Sequence, residues 1–224
     1  GNDGTSTTYA GTIGGTGGLI KIGGGTLTLA GSSSYTGATA VNAGALQAGA
    51  ANAFAPSSAF TIAGGAVLGL NSFNETIGSL AGNGSVTLGS GTLTAGGDGT
   101  STTFAGTIGG TGGLTKIGAG TLTLAGANGY TGTTALSAGA LAVGNNNALG
   151  TGALTMAGGT KLQSAGAGLT LPNAVLLGGA GTIDSQSNVF ALSGNITGSG
   201  SLTKIGNGFL ILSGNNSYTG GTIL

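Results

Sequence analysis

The sequence predicts an all-β fold wound as a parallel β-helix, a solenoid of about ten coils of roughly 22–24 residues each. Three observations carry that prediction. A fifteen-residue phrase occurs three times, apolar residues fall in short and evenly spaced pulses, and 54 of 224 residues are glycine. The phrase reads GGLIKIGGGTLTLAG from Gly17 to Gly31, GGLTKIGAGTLTLAG from Gly112 to Gly126 and GSLTKIGNGFLILSG from Gly200 to Gly214. A blurred copy without the lysine, GSVTLGSGTLTAG, spans Gly84 to Gly96. Evenly spaced short strands alone would also suit a sandwich or a barrel. The internal repeat decides for stacked coils, in which each unit buries its apolar face against its neighbours.

Taken in order, the first 49 residues align without a gap on residues 96–144, with 37 identities. Each phrase is followed at the same distance by Tyr-Thr-Gly, at Tyr35, Tyr130 and Tyr218. The lysines Lys21, Lys116 and Lys204 lie 95 and then 88 residues apart, which at this coil length is four coils each. Repeat units over about 1–95, 96–183 and a partial 184–224 follow, within one solenoid segment spanning 1–224. Thr-Leu-Thr-Leu alternates with period two, the mark of a half-buried strand. No ten-residue stretch joins helical period to helix-forming composition. Gly-Gly, Gly-Thr, Asn-Gly and Ser-Gly pairs punctuate the pulses and mark corners. Pro56 and Pro172 are expected at strand ends, where no ladder donor is lost. Neither end reads as a polar cap, so the expectation is an uncapped piece of a longer repeat protein.

The chain carries four basic and four acidic residues and no Cys, His or Trp. A net charge of zero gives nothing to draw it to nucleic acid or to an anionic surface. Disorder goes with low hydrophobicity and high charge, and this chain has the reverse. No run of eighteen apolar residues offers a membrane-spanning helix.

The stretches FAGTIGGTGGLTKIGAGTLTLAGANGYTGTTALSAGAL and GSGSLTKIGNGFLILSGNNSYTGGT resemble the autotransporter-associated β-strand repeat, also called the passenger-associated transport repeat, of bacterial autotransporter passengers. NETIGSLAGNGSVTLGSGTLTAGG (Asn74 to Gly97) and Gly152 to Asp184 resemble the same family, so the likeness covers nearly the whole chain. It implies a right-handed parallel β-helix, exposed on the exterior of a Gram-negative cell and carried there by a C-terminal outer-membrane β-barrel of the same precursor. The partners it implies are that barrel, adjacent coils of the parent, and a host or matrix surface or a second copy.

Catalysis is not expected. Histidine and cysteine, the commonest general base and the most reactive nucleophile, are absent. The carboxylates are scattered, and the equivalent Asp3 and Asp98 fall several coils apart, too far for a glycosidase pair. One Asp in several coils cannot supply the six to eight oxygens of a calcium site, so no metal or cofactor is expected. Gly109 to Lys116 misses the phosphate-loop spacing and reads as a corner plus a strand. Lys21, Lys116 and Lys204 are expected to point outward and keep strands soluble. Tyr35, Tyr130 and Tyr218 are expected to pack their rings over corners with wet hydroxyls. The pairs Thr26/Thr28, Thr92/Thr94 and Thr121/Thr123 raise an ice-binding face, which their irregular recurrence argues against. Where Thr121 and Thr123 stand in the second phrase, the third has Phe209 and Ile211, two outward apolar side chains that predict a lateral contact. The expected function is a structural stalk segment of a surface passenger, with an adhesive surface or a self-assembling fibre as alternatives. A polysaccharide-active or ice-binding solenoid is more remote.

Overall fold

A computed structural model describes residues 4–224. Asp3 and its match to Asp98 therefore lie outside the described residues. The described chain is all-β and winds as a parallel solenoid. One face is an eleven-stranded sheet that takes one strand from each coil, beginning at Leu19–Lys21 and ending at Thr222–Ile223. A second face is a seven-stranded sheet from Glu75–Ile77 to Ile196–Thr197. The third place in the coil holds a six-stranded sheet, Thr7–Tyr9 to Thr107–Gly109, and later a three-stranded sheet, Leu169–Leu171, Phe190–Leu192 and Leu210–Leu212. Between these two the third side is made by corners, one of them holding Asn145, Asn146 and Asn147.

The eleven strands give about eleven coils, close to the ten expected. The coils are shorter than expected. Val67 pairs with Ser85 and Val86 with Ile108, among the shortest and the longest steps in their sheet, and even the longer one only reaches the lower end of the expected range. At about 4.8 Å per strand the segment rises about 50 Å.

The strands form where period-two alternation meets a core. In Thr121–Leu124 the threonines stay partly exposed and Leu122 and Leu124 are buried. Leu124 stacks between Phe104 below and Val143 above. Forty such apolar residues form one continuous core, which needs no cross-link because each coil hands its apolar side to the next. A fully buried Leu, Ile or Phe contributes about 1.5–3 kcal/mol. Corners turn on residues with positive φ. Gly118 has φ 71°, and a Cβ there would meet the carbonyl of Gly96 one coil earlier.

Like stacks on like in some ranks, as in Leu122, Leu141 and Leu162, but not in all. Leu19, Thr39 and Phe60 follow one another in a single rank. Nor are the three phrases in one phase of the coil. Lys21 and Lys204 lie on the eleven-stranded face and Lys116 lies on the seven-stranded face. The spacings between the lysines are thus not whole numbers of coils: each is four coils and a fraction.

Candidate functional site

The repeated phrase builds the same local structure each time. Leu-x-Lys forms one strand, Ile-Gly-x-Gly turns the corner, and the following residues form the next strand. In Leu114–Lys116 the lysine shares parity with Leu114, so both face inward. Lys21 is 3% exposed and Lys116 is 1% exposed, which overturns the outward reading of these lysines. Lys21 Nζ donates to the carbonyls of Ile22 at 2.9 Å, Gly23 at 2.7 Å and Ala43 at 2.9 Å. Lys116 Nζ repeats the pattern with Ile117 at 2.7 Å, Gly118 at 2.9 Å and Ala138 at 3.3 Å. Two carbonyls belong to the lysine's own corner and the third lies in the next coil.

The cause is a donor deficit. None of these six carbonyls receives a backbone amide among the described residues. A buried carbonyl without a donor costs about 1–3 kcal/mol, so an ammonium with three protons fills three vacancies at once. The blurred copy shows the converse. Its corner, Gly89-Ser90-Gly91, is one residue shorter, Leu88 sits buried in the lysine's place, and the Gly89 carbonyl takes the amides of Thr111 and Gly112. Lys204 bonds Ile205 and Gly206, at 3.3 and 2.6 Å. Burial pulls the Lys116 ammonium below its ordinary range, and nearby Asp98 opposes that shift.

Other polar side chains also tie coil to coil. The buried Glu75 carboxylate accepts the amides of Ala53 at 3.2 Å and Phe54 at 2.9 Å in the preceding coil. Burial raises its carboxyl above the ordinary range, and the amide hydrogen bonds pull it back. Asn128 accepts the Ile108 amide at 2.7 Å and donates to the Ala148 carbonyl at 2.6 Å, joining the coils on either side. Asn216 takes the Ile196 amide in the same way. Asp98 holds its own turn through Thr100, and hydrogen bonds outweigh burial to keep its carboxyl low. Lys161 and Asp184 make the ion pair found among the described residues, at 3.4 Å.

Tyr35 and Tyr130 are buried to the hydroxyl, not wet at the tip as expected. Each hydroxyl pairs with a threonine four residues on, Tyr35 with Thr39 at 2.6 Å and Tyr130 with Thr134 at 2.5 Å. Tyr218 pairs with Thr222 at 2.6 Å near the chain end. Burial pushes the Tyr130 phenol up to about 12 and also raises that of Tyr35. The signal was present in the sequence as Tyr-Thr-Gly-x-Thr, repeated three times.

The lateral surface carries the rest. Thr26/Thr28, Thr92/Thr94 and Thr121/Thr123 fall on or beside strands of three different sheets, so they share no common plane. No cluster of metal-binding side chains occurs among the described residues. Gly109 to Gly113 is a strand end and a corner. Phe209 is 74% exposed and Ile211 47%, on the outer side of the three-stranded sheet. In register, Val189 lies beside Phe209 and is itself 43% exposed, so the apolar patch extends over two coils.

The comparisons with known proteins address the phrase directly. The family described as the passenger-associated-transport-repeat matches at residues 19–48, 114–143 and 202–224, each match opening on the leucine that precedes a phrase lysine by two. The chain is also similar to the adhesin BmaC autotransporter of Brucella suis biovar 1 (strain 1330), 42% identical over 245 aligned positions. That alignment covers 99% of this chain and 7% of the relative, so the chain spans a small fraction of the protein it matches. No solved structure matches.

Proposed function

We propose, from the three matches to the passenger-associated-transport-repeat and the likeness to an autotransporter adhesin, that the chain is part of the passenger region of a bacterial autotransporter, a stalk segment holding an adhesive part of its parent away from the cell. The observation that carries this reading is the use of the charged side chains. Lys21, Lys116, Glu75 and the Lys161–Asp184 pair all join one coil to the next instead of presenting charge to a ligand. Among the described residues the interior is one continuous apolar core, which suits load-bearing. We read it as non-enzymatic, displayed on the exterior of the outer membrane, and followed in the precursor by a C-terminal β-barrel.

A second reading has its own observation. The patch of Val189, Phe209 and Ile211 is apolar, lateral and uncovered, as an adhesive face for a host or matrix surface would be. One experiment separates the two. The 224-residue chain is immobilised and challenged with host cells and matrix proteins, beside its Phe209→Ser/Ile211→Ser variant. A stalk segment captures neither, and its deletion from the parent shortens reach by about 50 Å while adhesion persists. Capture by the native chain that the double variant loses moves the function to the patch.

A further inference from the structure

We propose that the two buried phrase lysines, Lys21 and Lys116, are clips that divide the solenoid into separately opening blocks, so that peeling of coils runs freely between clips and halts at each one. A solenoid's stability is close to a sum of intrinsic coil terms and nearest-neighbour interfaces. A stronger interface therefore acts as a barrier to propagation along the axis. The interface between the coil of Lys116 and the coil of Ala138 is such a place. It carries a buried ammonium whose hydrogen bonds are charge-assisted, about twice as strong as neutral ones, and whose three acceptors straddle both coils. The Lys21 interface has the same build, with Ala43 as its forward acceptor at 2.9 Å. Between Ala43 and Lys116 the lysine position of the blurred phrase holds Leu88, which adds no such tie.

The clip is also coupled across the interface. Removing the ammonium leaves carbonyls without donors at the corner of Ile117 and Gly118 and, at the same time, at Ala138 in the next coil. Both corners should loosen together. A lysine that merely capped its own corner would leave residues 137–139 unaffected.

Pulling on single molecules tests this. With the chain held at both ends and peeled from its C-terminus, detachment of Gly139 to Leu224 releases 86 residues before the Lys116 clip bears load. A pause is expected after about 300 Å of released contour, at roughly 3.3–3.6 Å per residue. Lys116→Met, which keeps the apolar stem and removes the ammonium, should abolish that pause and leave other steps in place. It should also speed amide exchange about tenfold or more at both 117–120 and 137–140, whereas Lys161→Met should change neither. A native chain that peels with no pause near that length overturns the proposal, whether or not the variant folds. Faster exchange at 117–120 with 137–140 unchanged overturns the coupling. The clip deepens the stalk reading, yet it fails separately: a missing pause removes the clip and leaves the stalk's own test, adhesion without the segment, untouched.

Discussion

At Ser33 the structure has a vacancy that its own repeats show how to fill. Ser33 stands where the later copies have Asn128 and Asn216, two residues before the tyrosine. Those asparagines reach the amides of Ile108 and Ile196 in the preceding coil. The serine is shorter, and its buried hydroxyl finds no partner. Ser33→Asn should therefore stabilise the chain by about 1 kcal/mol, and Asn128→Ala should cost about 2–3 kcal/mol by leaving an amide and a carbonyl buried and unpaired. Equilibrium denaturation measures both; a neutral or harmful Ser33→Asn would show that the first coils have no room for the longer side chain. Tyr130 gives a pH signature. Its folded phenol is pushed up to about 12 from an ordinary value of 10.0, so folding favours the protonated ring. Stability is then full below pH 10 and falls as the pH rises from 10 towards 12, because the unfolded phenol ionises first. Tyr130→Phe should flatten that fall in denaturant titrations between pH 9 and 12.

Strands and corners divide sharply in how far the sequence disclosed them. The Thr-Leu-Thr-Leu strands and the Gly corners follow from alternation and turn chemistry, and they lie where those signals place them. The lysines do not follow from residue type. A charged side chain reads as a solvent-facing one, yet parity with Leu19, Leu114 and Leu202 turns all three inward, and only knowledge of the orphan carbonyls explains what makes burial tolerable. Glu75 escaped notice for the same reason, since its donors come from a corner of the preceding coil and no local pattern marks them. The outward pair Phe209 and Ile211 was legible, because it breaks a threonine frame set by the earlier copies. On this strand, replacing both residues with serine should change stability by less than about 0.5 kcal/mol each, as the side chains make few contacts to lose. The same change should lower binding of an apolar dye such as ANS. A loss of several kcal/mol on denaturation would mean that the patch packs against its own chain.

Along the whole solenoid, little ionised surface remains. Lys21, Lys116 and Glu75 are interior, and the ion pair of Lys161 with Asp184 is half in solvent, where such pairs contribute at most about 1 kcal/mol. Raising sodium chloride from about 0.05 to about 0.5 M should therefore move the melting midpoint by less than about 2 °C, since screening acts on exposed charge. A large shift in calorimetry would place the ammonium groups in water instead of in their carbonyl corners. Coil length varies between neighbours, from 18 residues between Val67 and Ser85 to 22 between Val86 and Ile108, so the lysine spacing alone does not fix it.

The out-of-step repeat has an outcome for display. Lys21 and Lys204 mark one side of the rod, and Lys116 marks another. Phrases set along a stem in this way resemble leaves that do not all open over one another. Whatever feature a phrase carries is turned to another bearing at the second copy and back again at the third, so this stretch of rod offers it on two sides instead of one.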